Sequence, residues 1–389
     1  GTVGLTGTYK NQEEIRFDGT VKVDSLQLDK LLQNQQLGGV SFTMDVAGSG
    51  NSLNTLNAEL QSDFDQLQLK NYDFSNLELQ GKIVNGKGDI DLKFKDDNLN
   101  FTADTDITLD SLASTIKLDL NVIGADLYAL GVTKESIKAG LRIKADYVGN
   151  TKDYKLNARI ENGIAVYDNQ QYQMGHIAII SAFDTIRTEI DIDSEFLTGG
   201  LKSNASPKRI ESALTLQLKN YFRDSTKVAH ATDSVRLKMD LKLIPNPILT
   251  EVFFRDVEQL DSVLVRADFD AATKKMHAEL HMPLAKYQGS SVDSLNVLIT
   301  GNATDLSFSA GLAALVADPI HIKRTYFEGN LKNRELLLDF ISYDGDEKLV
   351  HIAYELTLEK DTTRLHINPN ALIFNRKEWS IPNDNQISI

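Results

Sequence analysis

Apolar and polar residues alternate with period two along almost the whole chain. Val40-Ser41-Phe42-Thr43-Met44-Asp45-Val46, Ile90-Asp91-Leu92-Lys93-Phe94, Ile116 to Val122, Val235 to Leu243, Met276 to Met282 and Leu336 to Phe340 all show it. Successive side chains of a strand point to opposite faces, so each segment carries one apolar and one polar face. Strands buried in a helix-covered parallel sheet would read as continuous Val/Ile/Leu runs. Gly, Asn and Asp clusters punctuate the pattern at Asn85-Gly86-Lys87-Gly88, Lys95-Asp96-Asp97-Asn98, Gly149-Asn150-Thr151, Asp270-Ala271-Ala272-Thr273 and Tyr343-Asp344-Gly345-Asp346. These residue types tolerate turn conformations. Their spacing predicts an antiparallel meander of roughly 25 strands with one face in water.

Helical signals are few. Ser206-Pro207 opens a segment in which Ile210, Leu214, Leu218, Tyr221 and Phe222 recur near the helical period. Asn246-Pro247, an N-cap with proline at the first helical position, opens a second with Ile248, Val252, Phe253, Val257 and Leu260. A short turn runs from Ala125 to Leu130 and closes at Gly131. The expected organisation is a β-segment over 1–200, strands with two amphipathic helices over 201–262, and a second β-segment over 263–389. No Pro-rich or Gly/Ser-rich linker divides them, so one continuous elongated domain is the alternative.

A sheet with one apolar face of this extent cannot leave that face uncovered. It can pack as a sandwich, close as a barrel, or curl along its length. Stacked sandwiches would make the apolar positions an ordinary core. A membrane barrel would carry aromatic girdles, and aromatics are 7% of this chain. The predicted fold is therefore mostly β: an elongated, curved antiparallel trough with an apolar inner face and two or three short helices. Such a trough could hold acyl chains, since each methylene leaving water gains about 0.8 kcal/mol. The groove positions are Val40, Phe42, Met44, Val46, Ile90, Leu92, Phe94, Leu118, Leu120, Leu237, Met239, Leu241, Leu280, Met282, Leu338 and Phe340. Methionine adapts to mobile tails but fills a core equally well.

Composition narrows the function classes. Among 389 residues there are 41 Lys and Arg against 55 Asp and Glu, a net charge of −14. That balance argues against a nucleic-acid binder and against docking on an anionic membrane surface. With no cysteine, disulfides, thiolate metal sites and cysteine nucleophiles are excluded together. No apolar run approaches the roughly 20 residues of a membrane-spanning helix. Gly1-Thr2-Val3 already lies in a strand-like pattern without an initiating Met, which reads as an excised fragment.

The texture resembles the TamB branch of the AsmA-like, bridge-like lipid-transfer proteins of Gram-negative envelopes. Gly7-Thr8-Tyr9-Lys10 with Ile15 to Val23, and Phe327 to Lys332 with Glu335 to Phe340, are similar to that family's repeating strand pairs. Leu365-His366-Ile367-Asn368-Pro369-Asn370 with Leu372 to Trp379 is similar to an element of Bacteroidota members. The resemblance implies a middle section of a β-taco anchored at the inner membrane, crossing the periplasm and moving phospholipid towards the outer membrane. It also implies a possible role in outer-membrane protein assembly with a barrel partner of the TamA/BamA type. No cofactor is implied. The family's membrane anchor and C-terminal domain are not recognisable.

Other chemistry reads weakly. His277-Ala278-Glu279-Leu280-His281 puts two His and a Glu on one strand face, the solvent side by alternation. The helical zinc-protease spacing requires one more residue before the second His. Asp104 with Asp106, and Asp191 with Asp193, fit the polar face and lack a calcium-loop pattern. No phosphate loop or nucleophile elbow is present, so no enzymatic activity is expected. The triplet Asp-Ser/Thr-aliphatic recurs at Ser25, Ser111, Thr185, Ser234, Ser262 and Ser294. It resembles the O-glycosylation acceptor of periplasmic Bacteroidota proteins; the alternative is a turn in which Asp-Ser precedes a strand. Besides a lipid conduit, the sequence admits a scaffold that takes a client strand at a sheet edge. It also admits a glycan-binding sandwich array, for which aromatic platforms are few.

Overall fold

The computed structural model describes residues 1–11, 13–69, 72–150, 152–222, 234–358 and 362–388. Among them, 29 strands belong to one antiparallel sheet, with a few short helical segments. The chain divides into two compact units, Gly1–Ala182 and Phe183–Ile389.

In the first unit the long strands follow one another as a meander. Thr2–Asn11, Ile15–Gln27, Leu37–Ser49, Asn57–Leu69, Leu77–Val84, Lys87–Lys95, Leu99–Thr108, Ser114–Asp126, Lys138–Gly149 and Tyr154–Tyr167 each pair antiparallel with the next. The predicted turns are where the chemistry placed them. Asn85 and Gly86, with φ 50° and 71°, join two strands in a tight hairpin that needs left-handed conformations at both central residues. The Asp96 carboxylate accepts the backbone N–H groups of Asn98 and Leu99 at 2.8 and 2.6 Å. Asp126 does the same for Tyr128 and Ala129, both at 3.1 Å, in the turn closed by Gly131. Thr151 and Asp233 lie outside the described residues.

The second unit repeats the scheme. Thr188–Ser194, Leu197–Ser203, Arg236–Leu243, Val263–Asp270, Lys275–Tyr287, Ser290–Gly301, Asp305–Leu312, Thr325–Lys332, Glu335–Asp344, Glu347–Leu358 and Thr363–Phe374 pair in succession. The helix predicted at Ser206-Pro207 is Pro207–Tyr221. Its buried side is Ala213, Gln217, Asn220 and Tyr221, whereas Leu218 and Phe222 are exposed.

The second predicted helix is shorter than its pattern. Ile248–Phe253 form a single π-type turn, capped by the Asn246 carboxamide accepting the Ile248 N–H at 3.0 Å. Val257–Leu260 form a strand against Ala285–Tyr287 instead. The helical spacing of Val257 and Leu260 loses to a free edge of the Lys275–Tyr287 strand, which pairs their backbone groups without a further helical turn.

The chain exposes 23376 Å². A compact protein of this mass would expose about 15,000 Å², and two separate compact bodies of half the mass about 18,000 Å². The excess fits strands only partly covered by other elements of the chain.

Candidate functional site

All sixteen groove positions fall on the apolar face of their unit. In the first unit the register carries one row through Val21, Met44, Ser62, Leu79, Leu92, Ala103, Leu120, Ile143 and Ile160. A parallel row runs through Val46, Leu60, Gly81, Ile90, Thr105, Leu118, Ala145 and Ala158. Phe42 faces Phe64, and Phe94 faces Phe101, in a third row. There the rings close into a cluster, with centroids 5.0 Å apart for Phe42–Phe64, 5.1 Å for Phe74–Phe94 and 5.8 Å for Phe94–Phe101. Tyr72 and Leu77 are buried beside them. The Tyr72 hydroxyl donates to Asp96; burial first, then that bond, pushes its pKa up to about 12.

In the second unit Met239, Ala267, Ala278, Ile299, Phe308, Gly329, Leu338, Tyr354 and Ile367 form one row. Leu241, Val265, Leu280, Val297, Ala310, Phe327, Phe340 and Ile352 form the next, with Met282 opposite Leu295 beyond it. The outermost row begins Leu237, Phe269, Met276 and Gly301. Across it lies the helix: Ile210, Ala213 and Leu214 pack with Val235, Phe269, Leu237 and Met276. Its 15 residues, roughly 22 Å of helix, suffice to cross four strands. At the far end the Gln217 amide donates to the Tyr221 hydroxyl at 2.8 Å and to the Asn302 carbonyl at 2.7 Å.

Burial distinguishes this face from a core. Val40, Phe94 and Leu338 are buried; the other thirteen positions are half-buried and none is exposed. The strand Arg236–Leu243 shows the pattern cleanly, its charged residues exposed and its four apolar residues half-buried. Sequence reading missed Ser62, Gly81 and Thr105, small or polar residues within the apolar rows. Ser62 is reconciled by its hydroxyl, which donates to the Thr43 carbonyl at 3.1 Å.

The opposite face is an ionic lattice. Arg142 grips Asp119, its Nε reaching Oδ1 at 2.6 Å, and this holds the Asp119 carboxyl below the ordinary carboxylate range. Lys144 and Arg159 meet Glu161 at 2.9 and 2.8 Å and lower its pKa likewise. Arg266 bridges Glu279 at 3.1 Å and Asp240 at 3.0 Å, which raises its own pKa. Glu279 is thereby shared, its Oε1 with Arg266 and its Oε2 3.8 Å from His277 Nε2, while His281 Nδ1 is 2.6 Å from the Asn296 carboxamide oxygen. Among the described residues no group of three or more His, Asp or Glu is arranged to hold a metal ion. The cavities described on the two units open mainly among polar-face residues, at 770, 740, 840 and 530 Å³.

The six Ser/Thr triplet positions split by backbone. Asp110 accepts the Leu112 N–H at 2.8 Å and Asp184 the Ile186 N–H at 2.8 Å, so Ser111 and Thr185 sit in exposed turns. Ser25, at a register shift, and Ser294 adopt left-handed conformations with φ 53° and 56°. Their hydroxyls donate to the preceding Asp at 2.7 and 2.6 Å. Ser234 is exposed and Ser262 half-buried.

The chain matches no family model, no curated protein and no solved structure with which it was compared. No helix among the described residues is long and apolar enough to cross a membrane.

Proposed function

We propose that the apolar face of each unit shields phospholipid acyl chains, in a periplasmic segment of an envelope-spanning bridge-like protein that carries lipid between inner and outer membrane. The observation that carries this reading is the half-burial of thirteen of the sixteen groove positions on rows unbroken across successive strands. A packed core would bury them; a wet surface would not align them. Covering such a face with a flexible hydrocarbon removes apolar area from water at about 25 cal/mol per Å². A photocrosslinker at Leu118 or Met239 is expected to capture lipid from native membranes, and one at Asp119 or Asp240 is not. Equal labelling of both faces would refute the reading.

A second reading is a scaffold for outer-membrane protein assembly with a barrel partner, which would take a client strand at a sheet edge. Barrel proteins co-purifying without bound lipid would select this reading.

A further inference from the structure

The helix Pro207–Tyr221 carries more apolar surface than its seat on the sheet uses. Ile210, Leu214, Leu218 and Phe222 recur every four residues, yet Leu218 and Phe222 are 44% and 55% exposed. Four residues advance a helix by one turn and about 40° more. The stripe therefore winds off the sheet as the helix proceeds, from Ile210 against it to Phe222 clear of it.

Chirality fixes the side to which the stripe winds. The Val235 carbonyl accepts the Ala271 N–H, and the Arg236 carbonyl accepts the Asn204 N–H. Residues of Arg236–Leu243 with side chains on the apolar face thus bond towards Val263–Asp270, and the alternate residues towards Leu197–Ser203. With this strand running upward and its apolar face towards the viewer, L-residues of that hand put Leu197–Ser203 on the left and Val263–Asp270 on the right. The helix crosses the lower end, at Leu237, and runs from left to right, from Ala205 to the Gln217 bond with the Asn302 carbonyl. A right-handed helix so placed turns an i, i+4 stripe upward, towards Met239 and Leu241. Two contacts agree. Ile210 and Leu214 pack in the cluster that includes Leu237 and Met276. Arg209, on the other flank, reaches the Thr185 carbonyl, which lies beyond the row of Thr188, Ser203 and Leu237 on the side away from Met239.

Helix flank and half-buried rows therefore meet in an inside corner that runs across four strands. We propose that Leu218 and Phe222 are a side wall of the lipid path in the second unit, with an acyl chain lying along the corner between them and the row of Met239, Ala267, Ala278 and Ile299. This rests on the acyl-shielding reading of the apolar face. Hydrocarbon suits the corner because both of its walls are side chains without polar groups. An extended peptide laid there would leave its backbone N–H and C=O groups unpaired, and an acyl chain has none to satisfy. The flank carries one charge, Glu211, ahead of Leu214 and exposed.

The test places a photocrosslinking residue singly at Leu118, Met239, Leu216, Leu218 and Phe222 of the full chain, incubated with phosphatidylcholine vesicles. Lipid adducts are expected at Leu118, Met239, Leu218 and Phe222, and not at Leu216 on the outer flank. Leu218→Glu should lower capture at Met239 about tenfold, the cost of setting one polar group against hydrocarbon, and should leave capture at Leu118 unchanged. Thr215→Glu, on the exposed side of the same helix, should leave both unchanged. Phe222→Ser serves where circular dichroism shows that Leu218→Glu disturbs the helix. Capture at Leu118 and Met239 but not at Leu218, or equal capture at Leu216 and Leu218, would overturn the wall and leave the acyl-shielding reading standing. Capture at none of the five would refute both. A dimer broken by Leu218→Glu, without adducts on the helix, would assign the flank to a second copy and likewise overturn the proposal.

Discussion

Gly301 offers a direct test of how the helix Pro207–Tyr221 closes its side of the apolar face. A Cβ at Gly301 would stand 2.2 Å from the Tyr221 hydroxyl and 3.1 Å from the ring carbon that bears it. Tyr221 is fully buried, and its hydroxyl is bonded to Gln217, which also holds the Asn302 carbonyl. Gly301→Ala therefore forces the end of the helix to move. Overpacking costs about 1–3 kcal/mol, and disturbing the Gln217 and Tyr221 bonds adds about 1 kcal/mol each. Against this, alanine gains about 0.5–1 kcal/mol over glycine within a strand. The net expectation is a loss of about 2–4 kcal/mol, read from denaturant midpoints at unchanged slope. Tyr221→Phe removes the clashing atom, so in that background Gly301→Ala should cost under about 1 kcal/mol, a coupling of the size contacting residues show. An equal cost of Gly301→Ala in both backgrounds would refute the close approach of helix and strand.

Leu120→Asp puts a carboxylate in the middle row of the first unit, between Ala103 and Ile143. Because Leu120 is half-buried, the fold should survive with a loss of about 1–2 kcal/mol, while lipid capture at Leu118 falls sharply in the same preparation. Tyr72, held protonated to about pH 12 by burial and Asp96, should be missing from the tyrosines that ionise near pH 10 in an ultraviolet titration. Its folded pKa is raised, so the stability it contributes is complete below pH 10 and is lost as pH climbs through 12; Tyr72→Phe should abolish that part of the alkaline dependence. Asp305 has the opposite sign: hydrogen bonding from Lys332 lowers its pKa. Its contribution is present at neutral pH and fades on acidification below the ordinary aspartate range, and Lys332→Gln should raise the Asp305 pKa measured by carboxyl NMR.

Most of the apolar face was legible because its period is that of the strand itself. Once Met44, Met239 or Leu338 is placed on a strand, its side is settled, and antiparallel pairing without a slip carries the same side to the neighbour. Where reading failed, a tertiary partner decided. Val257 and Leu260 keep helical spacing but meet the edge at Ala285–Tyr287. Leu218 and Phe222 fit the helical stripe, yet the helix is seated by Gln217 and Tyr221, whose partners lie at Asn302 and Gly301.

The two faces also divide the work of keeping so open a sheet folded and soluble. Asp91, Asp104 and Asp119 are direct cross-strand neighbours, and such like charges weaken pairing by some tenths of a kcal/mol each. Arg142, ion-paired with Asp119, and the nearby Lys144 charge offset part of this, and exposed pairs of this kind contribute at most about 1 kcal/mol. Stability must then come mainly from the apolar rows, most of whose positions are neither fully buried nor exposed and so retain some hydrophobic driving force. A second protein layer would use that force permanently and bury the face. A mobile hydrocarbon uses it reversibly, at about 0.8 kcal/mol per methylene, so each step along a row of similar side chains exchanges one contact for an equivalent one. Partly exposed apolar rows are what the proposed shielding of acyl chains would require, and the charged opposite face opposes association of such sheets with one another.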